Sequence, residues 1–494
     1  MRRTRLFCTV VVHFLTIDRA IPTDCSGVGN LSHVIAELRP FLSTDEVTRL
    51  TSFVGAGPIA DTHNPCFHAP KTAALMAEKT LNGGADHFGA PYACLPGVLI
   101  VGAHKSGSTD LFSRLGRHWA VVAEMKHKEH SFWCNIGISS APGHAGDIWH
   151  YAEKFARGTR AVRGLSIRAP QEDPTRVLAA PWEQAAERVH PRWGPSYVLP
   201  ANLAAQHALL VDATPANSYC LLPPPVPLKR QHKQRTEPGV TAVERVRAPP
   251  RQLTPSVARA LLGARAKVIL ITRDPVERTY SDYRYFRKFQ STSECGGATG
   301  PRQFHDRMVT EVSALRRCLA PESRRGTEGD CTAFCAQLGG GPPWSSCPPG
   351  RPFVSLVDLF AAEWRRQFGA ACNGGDGGGE APTSAPPAPA LSQQLLEVRL
   401  EDLAADPAHV MEAVARFLGL PIEGEDGRRA LAAMSGANKS VPEHFNDRSR
   451  FEGGAEPRPE PMFPETRALL ESFFRDHAGV GASLSYEGLC RGFF

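Results

Sequence analysis

Two apolar runs stand out along the chain. Gly97 to Val101 reads GVLIV, and Ala266 to Thr272 reads AKVILIT. Runs of this length, apolar almost throughout, fit strands covered on both faces, as in parallel sheets. A Gly-containing turn follows the first run, and then a helix-like stretch, Leu111 to His118. The second run ends at Arg273, before Asp274-Pro275-Val276-Glu277. Asp274 suits an N-cap, Pro275 the first helical position, and Glu277 would close a D-x-x-E capping box. A shorter apolar run, Ala208 to Val211, ends at Asp212. Between Pro407 and Leu420, apolar residues at 410, 411, 414, 417 and 418 keep helical spacing, and Pro464 to His477 reads as another helix. The expected fold is α/β, a mostly parallel sheet flanked by helices. Ligands of such sheets bind at the carboxyl ends of the strands.

The turn after the first run, Gly102 to Phe112, reads GAHKSGSTDLF. Strand, Gly-containing turn and helix bind phosphate, because free backbone N–H groups and the helix dipole converge on an anion. Gly102 and Gly107 fit the GxxxxG of a nucleotide-triphosphate loop. The next residues, however, are Ser108 and Thr109 rather than Lys and Ser/Thr. The lysine sits earlier, at Lys105. A cation moved within the loop implies a different phosphate ester.

GAHKSGST followed by ITRDPVERTYSDY resembles the 3′-phosphoadenosine 5′-phosphosulfate (PAPS) sulfotransferases. More of the chain resembles their Golgi carbohydrate branch, in particular the N-acetylgalactosamine 4-sulfate 6-O-sulfotransferases. The similar pieces are KHKEHSFW (126–133), LLVDATPANSY (209–219), FVSLVDLFAAEWRRQF (353–368), LLEVRLEDLAADP (395–407) and PMFPETRALLESFF (461–474). Their order and spacing agree across residues 95 to 480. The resemblance implies the sulfotransferase fold, PAPS as sulfuryl donor and a carbohydrate acceptor.

It also implies roles for residues. The first loop would grip the 5′-phosphosulfate, through the backbone of Ser106, Gly107, Ser108 and Thr109 and the Ser108 and Thr109 hydroxyls. Arg273 and Ser281, eight positions apart, would grip the 3′-phosphate. Lys105 would offset charge growing on the leaving oxygen, where electrostatic catalysis acts most strongly. Fixed cations of this kind need no metal. Glu129 is the candidate general base, from a segment resembling the family's K-E-x-H-F-F/W. The family's histidine position holds Ser131 here and His130 lies one place early, so His130 is the alternative base. Asp212 would order the acceptor or the Lys105 loop, or serve as a cap or turn residue. Lys439 lies where the family has a mobile substrate or cofactor segment. Trp133 and Trp364 read as core, Arg278 and Asp282 as an i,i+4 surface pair, and Arg399, Glu401 and Asp402 as structural.

The chain has 494 residues with 42% hydrophobic content, enough for a sizeable core. Its net charge of +6 suits an anionic donor and a polyanionic, glycosaminoglycan-like acceptor, and nothing points to nucleic acid. Arg2, Arg3 and Arg5 precede Leu6 to Ile17, an apolar stretch shorter than the roughly 20 residues of a membrane span. Residues 1–20 therefore read as a signal peptide, with a short type II anchor as the alternative. Secretion or the Golgi lumen follows. Thirteen cysteines fit lumenal disulfides, with zinc at Cys331-x-x-x-Cys335 as the competing reading.

Residues 21–94 read as a stem or N-terminal extension and 95–485 as the catalytic domain. Residues 135–200 read as a family-specific insertion. Residues 220–255, containing PPPVP and KRQHKQR, are expected to form an exposed loop, and 373–389 to be disordered. Besides a sulfotransferase acting on small molecules or protein tyrosine, whose cytosolic small-molecule version the leader disfavours, two other functions remain open at this stage. One is a P-loop nucleotide kinase or NTPase, which the absent lysine at 108 opposes. The other is a non-catalytic carbohydrate-binding relative, suggested by the shifted histidine.

Overall fold

A computed structural model describes residues 47–48, 50–51, 64–68, 92–118, 120–122, 132–135, 148, 151–152, 155, 209–214, 254–263, 266–289, 300–320, 354, 357–369, 394–436 and 460–478. Both apolar runs are central strands. The first is β3 (Val98–Gly102) and the second β6 (Lys267–Thr272). They pair in parallel, with Val98 opposite Lys267 and Gly102 opposite Ile271. β5 (Leu209–Ala213) lies on the other side of β3, and β4 (Val121–Val122) beyond it. β7 (Leu395–Arg399) closes the far edge against β6. The order is β4-β5-β3-β6-β7, every pair parallel.

Apolar residues alternate between two layers. Leu99, Val101, Val268 and Leu270 face α3 (Thr254–Leu262) and α6 (Val357–Phe368), where Trp364 and Phe368 fill the core. Val98, Ile100, Ile269 and Ile271 face the opposite layer, with Leu111 and Phe112 of α1 (Ser108–Leu115) and Met411 and Val414 of α8 (Pro407–Leu418). Continuous apolar strands were the signature of this double coverage. α8 buries Met411, Val414, Ala415 and Leu418, the stripe expected from its spacing. α9 (Gly424–Ser435) packs on α8, and α10 (Pro464–Asp476) packs on α4 (Pro275–Phe289) and α5 (Pro301–Leu319). Two further helices among the described residues are short: α2 (Phe132–Asn135) and α7 (Leu400–Ala405).

Residues before Leu95 join this core. β1 (Cys66–His68) pairs antiparallel with β2 (Tyr92–Cys94), and a disulfide links Cys66 to Cys94. The buried side-chain oxygen of Asn64 accepts from the N–H groups of Gly97 and Leu210, at 3.2 and 2.8 Å. Buried Ile148, Tyr151, Ala152 and Phe155 likewise belong to the core layer that contains Trp364. Cys318 is also disulfide-bonded. Cys331 and Cys335 lie outside the described residues. One expectation needs correction: Thr254 and Pro255, placed in an exposed loop, start α3 and are buried, because the apolar face of that helix begins at its first turn. Residues 220–253 and 373–389 lie outside the described residues.

Candidate nucleotide-binding site

The topology makes a crevice between β3 and β6. After β3 the chain passes through α1 toward β4 on one side. After β6 it passes through α4, and the sheet continues to β7 on the other. Connections that leave adjacent strands in opposite directions open the sheet at their carboxyl ends, where ligands of such folds bind. The turn 103–107 and the Arg273–Asp274 junction form the two lips of this opening.

The turn is shaped by close approach. A Cβ on Gly102 would collide with the backbone oxygen of Ile271, so only glycine lets the first strand end so near its neighbour. Lys105 follows with φ of 67°, the left-handed region that side chains seldom occupy. Gly107, at φ of 91°, caps α1 without a side-chain hydrogen bond. A Cβ there would stand 2.5 Å from Leu400 Cδ1. The N-cap thus offers the first N–H groups of α1 no side-chain acceptor at the positive end of the helix dipole. Ser106 is fully buried, and its hydroxyl has no hydrogen-bond partner among the described residues. Ser108 is buried and Thr109 half-buried.

The second lip is held by caps. Asp274 Oδ1 accepts from the N–H groups of Val276 and Glu277, at 3.0 and 2.9 Å. Asp274 is thus the N-cap and Pro275 the first helical residue, as the sequence implied. The reciprocal half of the box differs from expectation. The Asp274 N–H donates to Glu401 Oε1 at 2.7 Å, while Glu277 pairs with Arg467 at 2.5 Å. Glu401 arrives from α7 beside the neighbouring strand end and takes the position a local glutamate would fill. Its structural role matches the sequence reading.

Arg273 joins the lips. Its Nη1 donates to the carbonyl oxygen of Lys105 at 3.2 Å. Lys105 Nζ rests 4.3 Å from the centre of the Tyr285 ring on α4. Ser281 is half-buried on α4 and shares a helical face with Arg278 and Tyr285. Lys105, the turn and Arg273 are therefore brought together, with Ser281 on the adjoining helix.

The pair Arg278 and Asp282 corrects the sequence reading. Each is 2% exposed, so neither lies on the surface. Arg278 Nη1 stands 3.7 Å from Asp282 Oδ2, and His104 Nδ1–H donates to Asp282 Oδ1 at 2.5 Å. The i,i+4 pairing is present, but this face of α4 turns inward, against the turn. His104 and Tyr285 belong to this site without a sequence motif that marks them. A polar residue beside Lys105 and an aromatic at helical spacing from Ser281 were the available signals.

Asp212 lies within β5 and is fully buried. Its oxygens accept from the Tyr151 hydroxyl at 2.6 Å and the Thr214 hydroxyl at 2.7 Å. Trp133 Nε1 donates to the Tyr151 oxygen at 3.1 Å, linking α2 to the strand. Burial first, and the Asp212 charge next, push the Tyr151 hydroxyl well above its ordinary 10.0. Asp212 therefore works inside the core rather than as a turn residue or a helix cap. Trp133 and Trp364 are fully buried core residues, as expected. Glu129, His130 and Lys439 lie outside the described residues.

No protein-family model matches the chain. By sequence it is similar to carbohydrate sulfotransferase 15 of Homo sapiens, 23% identical over 388 residues, covering 77% of this chain and 52% of that protein. The Rattus norvegicus protein of the same name is 22% identical over 387 residues. The chain spans about half the length of these relatives. Among solved structures, a sulfotransferase from Alicyclobacillus acidocaldarius is 14% identical, with 78% of this chain and 94% of that one covered and a TM-score of 0.33. The sulfotransferase domain of the Synechococcus PCC 7002 olefin synthase is 13% identical, with 76% and 93% covered and a TM-score of 0.25. The fold rests on the strand order, not on these superpositions. Across most of its length the chain is thus similar in sequence to carbohydrate sulfotransferases.

Proposed function

We propose that this chain transfers a sulfuryl group from PAPS to a hydroxyl of a carbohydrate, a glycosaminoglycan-like polysaccharide. The observation that carries this reading is the joining of the two expected anion grips at one crevice, with Arg273 touching the Lys105 backbone. Similarity to carbohydrate sulfotransferases supports the reaction class and the acceptor class.

In this reading the acceptor oxygen attacks sulfur in line with the bond to the 5′-phosphate. That bond breaks, and its electron pair stays on the leaving phosphate. Lys105 faces the leaving oxygen, and the backbone N–H groups of Ser106 to Thr109 hold the 5′-phosphate. The buried Ser106 hydroxyl, lacking a protein acceptor among the described residues, fits a group awaiting an anion. Arg273 and Ser281 hold the 3′-phosphate. Glu129 takes the acceptor's proton, or His130 does. Asp212, engaged by Tyr151 and Thr214, stiffens β5 beside the crevice instead of meeting the acceptor. Lys439 contributes to an acceptor or donor segment.

Residues 95–485 would form the catalytic domain, with 21–94 as an extension partly packed on it. The Cys66–Cys94 disulfide supports an oxidising compartment, the Golgi lumen or outside the cell. Among the described residues, no helix is long and apolar enough to cross a membrane.

The test is calorimetry with adenosine 3′,5′-bisphosphate and with ATP, followed by radiolabelled-sulfate transfer onto mixed polysaccharides. Tight binding of the bisphosphate alone, with label entering a polysaccharide, is expected. Preference for ATP would turn the reading toward a kinase or NTPase. Bisphosphate binding without transfer would leave a non-catalytic relative.

A further inference from the structure

We propose that His104 is a positioning residue for the phosphate turn, acting through Asp282. The inference deepens the proposed function and rests on its reading of the turn as a nucleotide grip. His104 immediately precedes Lys105 and is 5% exposed. Its ring donates to Asp282, whose other oxygen faces Arg278. Its ring edge also meets Tyr285 at 4.9 Å between centroids, and the same Tyr285 ring lies beneath the Lys105 ammonium. Arg278, Asp282 and Tyr285 recur at helical spacing on one face of α4, so the turn docks along that face.

The physical need is visible at Lys105. A lysine at φ of 67° is held there only if the surroundings determine it. The Arg273 bond fixes the carbonyl side, but Arg273 is half-buried and is itself expected to meet the donor. The His104 tie fixes the other side, is buried, and uses no group that the nucleotide needs. Burying His, Asp and Arg together costs solvation that an apolar cluster would not. Such networks return directional precision where members have set partners, as His104 and both Asp282 oxygens do here. Here the direction set is that of Lys105 relative to α4, the helix that carries Ser281.

Three variants test this: His104→Ala, His104→Asn and Asp282→Asn. Asparagine keeps a side-chain N–H near the position of Nδ1. Amide hydrogen exchange is measured on the ligand-free protein, and affinity for adenosine 3′,5′-bisphosphate by calorimetry. In His104→Ala, amides 104–108 are expected to exchange roughly tenfold faster, with β3 and β6 unchanged. Bisphosphate affinity is expected to fall roughly 10- to 100-fold, as for a displaced positioning group. His104→Asn should return both toward wild type. Unchanged exchange in the turn, equal losses in the Asn and Ala variants, or loosening spread through the sheet would each overturn the proposal. If His104→Ala does not fold, Asp282→Asn decides: a loosened turn supports the link and an unchanged turn rejects it. Failure of the wild-type protein to bind the bisphosphate would remove the proposed function, while the exchange data would still judge the His104 link.

Discussion

Arg273 reaches across 168 residues of sequence to the backbone of Lys105, not to its side chain. The junction between the two lips of the crevice therefore survives any change at the lysine's tip. Chemistry and architecture can be separated at this one position.

Lys105→Ala and Lys105→Gly are both expected to lower sulfuryl transfer by about 10²–10³-fold, the usual cost of removing one group that stabilises developing charge. Their stabilities should differ. The left-handed backbone at Lys105 penalises alanine and suits glycine, so the Gly variant should be more stable than the Ala variant by about 1 kcal/mol. Radiolabelled transfer and urea denaturation read the two effects. Equal stability of both variants would show that the turn relaxes without the lysine.

Arg273→Ala removes a charged donor from the Lys105 carbonyl and, under the proposed function, from the 3′-phosphate. Hydrogen bonds to charged groups contribute about 1.5–3 kcal/mol, so affinity for adenosine 3′,5′-bisphosphate should fall roughly 10- to 150-fold. The maximal transfer rate should fall by less. Ser281→Ala should weaken binding in the same direction by a smaller factor. Calorimetry that finds Arg273→Ala unchanged removes the arginine from the site.

Gly107→Ala places a methyl group 2.5 Å from Leu400 and an alanine at φ of 91°. Overpacking and left-handed strain together should cost about 2–4 kcal/mol. Adding Leu400→Ala should relieve the contact but not the backbone strain. The double variant should thus be more stable than the sum of the single effects predicts. Strict additivity in urea denaturation would mean that Leu400 does not crowd this position.

Tyr151→Phe deprives buried Asp212 of a donor at 2.6 Å and should cost about 1–3 kcal/mol near neutral pH. The pH dependence has a definite sign. Folding raises the affinity of the Tyr151 hydroxyl for its proton above that of the unfolded chain. This contribution is complete below pH 10.0 and is lost as pH rises above it. The stability gap between wild type and Tyr151→Phe should therefore narrow above pH 10.0. Denaturation curves at neutral and alkaline pH measure it, and a constant gap would refute the shift.

Much of this protein is written locally. β3, β6, α8 and α10 follow from apolar runs and helical spacing, because these elements bury faces that their own residues define. The Asp274 cap is legible for the same reason, since Val276 and Glu277 lie within three residues of it, and the turn after β3 is legible from the spacing of Gly102, Lys105 and Gly107. What tertiary structure decided is which distant group arrives at each polar atom. Glu401, rather than Glu277, meets the Asp274 N–H. Tyr151 finds Asp212 from 61 residues away, and Cys66 selects Cys94. Arg278 and Asp282 have identical spacing whether they face water or the core. Only the docking of His104 against α4, across 178 residues, turns that face inward. Periodicity records which face of a helix is apolar, but a buried ion pair is polar on both readings, so its environment is set by packing alone.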